Sequence, residues 1–133
     1  MSIKAEVNFL KADKFEVGMY PSNVSTYIDK PEQGYQPAGP KPLEMLLASL
    51  GGSIAVYAKR YLTSQMIDFT ELRVNVEADR ETVMPVHLKN IKVSVHTDAD
   101  LGAKKDDFMT YLSSCPVHNT LLTTKEITIT AGH

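Results

Sequence analysis

A single cysteine, Cys115, leaves this chain without an internal disulfide. Secreted chains held by bridges carry an even set of cysteines, so a reducing, cytoplasmic compartment is expected. Charge of neither sign dominates: 14 Lys and Arg against 16 Asp and Glu give a formal net charge of -2. No basic patch stands out, which leaves nucleic acid without an electrostatic footprint. Long apolar runs are missing too. The most apolar stretch, Leu43 to Leu62, contains Glu44, Lys59, Arg60 and two glycines. That is a poor membrane span and a good buried helix, so no membrane partner is expected. The first residues alternate charged and apolar side chains and lack the apolar core of a signal peptide. No Cys pair, His-x-x-x-His spacing or carboxylate cluster marks a metal site, and no glycine-rich phosphate loop follows a strand. Neither a metal nor a cofactor is expected. Internal repeats and low-complexity tracts are absent.

What is present reads as one domain over residues 1–133, long enough to bury a core without staples. Three runs alternate with period two: Ile3, Ala5, Val7 and Phe9; Phe15, Val17 and Met19; Val24, Thr26 and Ile28. That period puts one set inward and the other outward, as a half-buried antiparallel sheet requires. Asp29 to Lys41 is a loop kept from helix by Pro31, Gly34, Pro37, Gly39 and Pro40. Pro42 suits the first turn of a helix. The text from Leu43 is apolar nearly all round until Lys59, and such a helix lies inside something. One sheet covers one face, so a second helix or a second subunit is expected on the rest. Gly51 and Gly52 cost about 1 kcal/mol each relative to alanine in a helix interior. They point to close packing or to an approaching ligand.

Strands return at Leu72 to Ala78 and, after a connection over Asp79 to Pro85 and a break in rhythm at Leu88, at Lys89 to Val95. Ala103 to Ser113 reads as a helix, Pro116 to Leu122 as a second short one, and Glu126 to Thr130 as a last strand with Ile127 and Ile129 inward. Strands and helices come in groups, which argues for the α+β class.

The residues able to carry chemistry are few. Cys115 directly precedes Pro116 in Ser-Cys-Pro-Val-His-Asn. If Pro116 opens the helix, Cys115 is its N-cap, with the sulfur at the positive end of the dipole, where the thiolate is favoured. His118 lies about one helical turn on and is placed to add positive charge or pass a proton. The alternative for Cys115 is packing alone, since free cysteine is among the most buried residue types. Glu44 sits in the first turn of the long helix, where the dipole favours an acid. Its sharper role would be to hold an arginine or orient a substrate. His87 and His96, nine residues apart, are expected on opposite faces of one strand, and His133 is terminal.

Two segments together carry a family resemblance. Gly39-Pro-Lys-Pro-Leu-Glu-Met-Leu-Leu-Ala-Ser-Leu-Gly-Gly-Ser53 resembles the long-helix motif of the OsmC/Ohr family of thiol peroxidases. Ser114-Cys-Pro-Val-His-Asn-Thr-Leu121 resembles that family's second-cysteine motif, and Asp79-Arg80, Pro85 and Ile91 resemble the strand-turn-strand passage between them. The resemblance implies an OsmC-like α+β fold, with antiparallel sheets wrapped around long central helices in an intertwined homodimer. It also implies a site at the dimer interface that reduces organic or hydrogen peroxides, serving oxidative-stress defence. There a first cysteine on the central helix becomes a sulfenic acid and a second closes a disulfide, while an arginine and a glutamate polarise the first thiol.

The chain departs from that pattern where the first cysteine belongs: the position is Ser53, whose hydroxyl cannot follow the sulfenic acid route. Cys115 matches the second cysteine, and Glu44 falls one residue later after its proline than in the best-known peroxidases. The site expected from this is Cys115, Ser53, Glu44 and His118. Cys115 would take the oxidation from a hydroperoxide substrate, Ser53 would donate a hydrogen bond, and an external thiol reductant would restore the cysteine. The alternative is an inactive protein on the same scaffold, holding a small ligand in the pocket at the dimer interface.

Overall fold

The computed structural model of the chain describes residues 2–30 and 34–132. Pro31, expected in the loop, and His133 lie outside the described residues. The elements run in the order β1 (Lys4–Lys11), β2 (Lys14–Tyr20), β3 (Val24–Asp29), α1 (Pro42–Ser64), β4 (Leu72–Glu81), β5 (His87–Thr97), α2 (Lys105–Leu112) and α3 (Pro116–Thr123). This is a mixed α+β chain whose sheets are antiparallel. It divides into two compact units, Met1–Leu46 and Leu47–His133.

In the first unit β1, β2 and β3 form a meander in that order. Only its middle strand is well covered, with Val17 buried. The inward face expected of β1 does not materialise, because every residue of that edge strand is exposed. Phe9 remains 65% exposed, although its ring meets Phe15 edge to face at 5.6 Å. The loop after β3 is tied to the sheet by buried Asp29. Its carboxylate accepts from the Ala38 N–H at 2.8 Å, and its own N–H donates to the Pro40 carbonyl at 3.2 Å. Gly39 is required between them, since a Cβ there would collide with the Tyr27 carbonyl oxygen. Glu44 then accepts from the Lys41 N–H at 2.8 Å, and Pro42 follows. These are a capping-box carboxylate and a first-turn proline, which together start α1.

The second unit holds the main core. Leu50, Ile54, Ala58, Tyr61 and Leu62 recur along one face of α1 at helical spacing and pack with Phe108 and Leu112 of α2. Val74, Val76, Val93 and Val95 close the cluster from one face of the β4–β5 ribbon. Leu62 and Phe108 are fully buried, worth about 1.5–3 kcal/mol each. A Cβ on Gly51 would stand 3.0 Å from Val76, so this glycine lets helix and sheet close up, whereas Gly52 faces open space. The far side of α1 stays uncovered, with Val56 49% exposed.

Three expectations need correction here. The β4–β5 ladder runs to Glu81–His87, so the connection starts later than Asp79. A bulge at Asn90, whose φ is 53°, inserts one extra residue in β5, held by its amide on Asp79 at 3.0 Å. It brings His87 and His96 to the same outer face, opposite Glu81 and Arg73, and not to opposite faces. The segment from Glu126 to Thr130 is not a strand. Ile127 and Ile129 are 83% and 90% exposed, because no described strand edge takes the segment up.

Asp98 joins the start of β4 to the end of β5. Its carboxylate accepts from the Thr70 hydroxyl and from the N–H groups of Thr70 and Glu71, both at 2.9 Å. The Thr70 hydroxyl first, then the two backbone N–H groups, hold this carboxyl down at about 2. A depressed acid stabilises the fold fully above the ordinary carboxylate range, from about pH 4 up. That contribution is lost as the pH falls through about 2. Asp98→Asn is expected to lower the melting temperature at pH 7, and thermal melts across pH should show the gap to wild type closing toward pH 2. A gap that persists there would assign the loss to packing instead of charge.

Candidate functional site

Cys115 is the N-cap of α3, with extended backbone (φ −65°, ψ 145°) and Pro116 as the first helical residue. The chain turns there because Ser113 ends α2 and its N–H returns to Met109. Proline supplies the fixed φ that starts the next helix. The sulfur makes no capping hydrogen bond and is 0% exposed. It belongs to the same buried cluster as Leu50, Ile54, Phe108 and Leu112. Both readings of this cysteine therefore hold at once: it caps a helix, and it packs in the core.

His118 stands in the first turn of α3, half buried. Its Nδ1 is 2.8 Å from the Ser113 carbonyl. A carbonyl only accepts, so Nδ1 carries the hydrogen, and the bond ties the end of α2 to the start of α3. Asn119 makes a parallel tie, its amide donating to the Ser114 carbonyl at 3.0 Å. Ser53 is half buried on α1, next to core residue Ile54 and beside the Gly51–Gly52 pair. Glu44 is exposed and lies in the first unit, its carboxylate engaged in the start of α1. Among the expected site residues, Cys115 and His118 are thus brought together by one short helix. Arg80 pairs with Leu88 and shares the inward register of Val74 and Val76.

The buried cluster that holds Cys115 also holds a polar feature with no clear mark in the sequence. The Tyr61 hydroxyl donates to Asp107 at 2.8 Å, and its ring meets Phe108 edge to face at 5.4 Å. Burial first, then the bond and charge of Asp107, push the phenol up. Tyr57 and Tyr111 stack nearby at 5.2 Å. The available signal was the i, i+4 spacing of Tyr57 and Tyr61 on one helix face. Among the described residues no group of three His, Cys, Asp or Glu side chains is placed to hold a metal ion. Among the described residues no helix is long and apolar enough to cross a membrane.

The sequence profile described as OsmC-like protein matches residues 33–130. The chain belongs to that family. Solved structures agree in fold. An OsmC-like protein from Mycoplasma pneumoniae superposes with a TM-score of 0.73 at 23% identity, over 92% of this chain and 86% of its own. The organic hydroperoxide resistance protein OhrB of Bacillus subtilis superposes at 0.59 with 16% identity, over 90% and 91%. An organic hydroperoxide resistance protein OsmC from Legionella pneumophila gives 0.59 with 13% identity, over 92% and 90%. No curated protein matches the chain.

With its sulfur fully covered, Cys115 should be slow toward a bulky thiol reagent. The rate of modification by dithionitrobenzoate, followed by absorbance, is expected to be at least about a hundredfold lower in buffer than in urea, as for a group exposed only through opening. Comparable rates would show that the turn between α2 and α3 already lies open.

Proposed function

We propose that this OsmC-like protein acts in peroxide or oxidative-stress defence, with Cys115 as its oxidisable group. The observation that carries the reading is the position of the only thiol, at the N-cap of α3 with its sulfur free of any capping bond. Membership of the family and the hydroperoxide resistance proteins among its structural neighbours support it. The helix N-terminus stabilises negative charge developing on sulfur. Attack on the outer peroxide oxygen breaks the O–O bond and forms an S–O bond. The departing alkoxide takes the thiol proton and leaves as the alcohol, so cysteine is oxidised to the sulfenic acid and the peroxide reduced. Two equivalents of an external thiol return the cysteine, yielding a disulfide and water. Ser53 would serve as a hydrogen-bond donor, His118 as a source of positive charge, and Glu44 as an orienting acid in the assembled site. Burial of the sulfur favours small peroxides over bulky ones.

A second reading is favoured by the complete burial of Cys115 together with Ser53 in place of the first cysteine. In it the protein is a non-catalytic binder on the same scaffold, with its ligand at a dimer interface.

A homodimer belongs to both readings. The uncovered side of α1, the open apolar edge strand β1 and the unpaired Ile127 and Ile129 are apolar surface of the kind a second chain covers. Light scattering should return twice the 14.7 kDa of one chain, and a monomer mass would remove the interlocked assembly.

The deciding experiment is a brief pulse of low-micromolar hydrogen peroxide, or of cumene hydroperoxide, with a sulfenic acid trap present. Mass spectrometry then reads Cys115, with Cys115→Ser as the control. Trapping within the pulse, faster with hydrogen peroxide, is the expected result. Modification only at large excess would leave an ordinary buried thiol and favour the binding protein.

A further inference from the structure

The second unit contains a cleft that shares only His118 with the thiol reading. It opens between α1, β5, α2 and α3 and measures about 370 Å³. Its walls are Ile54, Val93, Val95, Leu112, Leu121 and Leu122, with His118 as the one ionisable side chain on the lining. Neither Cys115 nor Ser53 reaches it. Ser113 also borders the cleft, but its hydroxyl donates to the Thr110 carbonyl at 2.7 Å and its carbonyl accepts from His118. Once Nδ1 is bound to that carbonyl, Nε2 of His118 is the polar valence left over, with no partner among the described residues. An apolar cleft of this size with a single convergent polar group is the usual form of a small-molecule site.

We propose that this cleft binds a medium-chain monocarboxylate, its carboxyl group on Nε2 of His118 and its tail along Val93, Leu121 and Leu122. Three features select that chemistry. First, the Ser113 carbonyl fixes the ring through a hydrogen that Nδ1 carries in both protonation states, so Nε2 always faces away from that bond. Second, a carboxyl group makes the same N···O bond whichever partner holds the proton: as an acid it donates to neutral imidazole, as an anion it accepts from imidazolium. An alcohol makes that bond in either direction too but brings no charge to it, and an ammonium group repels the charged ring. In apolar surroundings the carboxylate–imidazolium form of the bond is the stronger, charge-assisted kind. Third, at about 370 Å³ the cleft is of small-ligand size, which suits a chain of medium length such as decanoate. The site lies within one chain, so it differs from a ligand shared at a dimer interface and does not rest on peroxide chemistry.

The test is calorimetric titration of the full chain with sodium decanoate, with decan-1-ol as the uncharged match. Light scattering and far-UV circular dichroism accompany every variant. Decanoate is expected to bind once per chain, about tenfold tighter than decanol. His118→Gln should remove that preference, and Leu122→Trp, at an exposed position on the rim, should weaken decanoate at least about tenfold by filling the cleft. Cys115→Ser should bind as wild type, which separates this proposal from the thiol reading. No heat at about 1 mM decanoate, equal affinity for the alcohol, or an affinity indifferent to Leu122→Trp would each overturn it. A change of mass with Leu122→Trp and no effect on decanoate would assign the cleft to a second copy of the chain, and would overturn it as well.

Discussion

Helix α1 runs 23 residues and is apolar on more of its circumference than the core of the second unit covers. Its buried stripe, from Leu50 to Leu62, organises the second unit, because the β4–β5 ribbon and α2 both fold onto it. A two-stranded ribbon is marginal alone in water and acquires stability only from such a partner. The close contact of Gly51 with Val76 sets how near they stand. The stapling of Thr70 and Glu71 by Asp98 then closes the ribbon where β4 begins and β5 ends. The opposite side of α1 carries exposed apolar side chains, Val56 among them.

The turn from α2 to α3 depends on the same core. Leu112 and Cys115 are both buried in it, three residues apart, with two exposed serines between them. Burying both ends forces the chain to reverse within those residues, and His118 and Asn119 reach back to the freed carbonyls of Ser113 and Ser114. One short stretch therefore produces two different chemical faces. The sulfur points into the core at the head of α3, while the imidazole Nε2 is left beside an apolar cleft. That division is why the thiol and the cleft support separate proposals.

Much of this was legible in advance. Period two located β1 to β5, the proline and glycine run marked the loop before α1, and Pro42 with Glu44 marked its start. Cys115 before Pro116 read correctly as a cap, since proline at the first helical position needs no N–H. Family membership was legible from the two motifs together, and the profile over residues 33–130 agrees. The bulge at Asn90 had a signal as well, the lost rhythm at Leu88, but alternation by itself does not say whether a break is a turn or an inserted residue. Glu126 to Thr130 alternates as a strand should and is not one in this chain, because a strand is defined by its partner's hydrogen bonds and not by its own side chains.

The sequence by itself determined the local matters: most element types, caps, the single thiol and the α+β class. These follow from backbone preferences and short-range periodicity, which are properties of a few neighbouring residues. Tertiary structure alone decided that Cys115 is wholly covered, that Tyr61 finds Asp107 across 46 positions of chain, and that His118 faces an apolar cleft. Burial and long-range hydrogen bonds depend on which surfaces meet after the chain has closed on itself, and no spacing along the sequence encodes that.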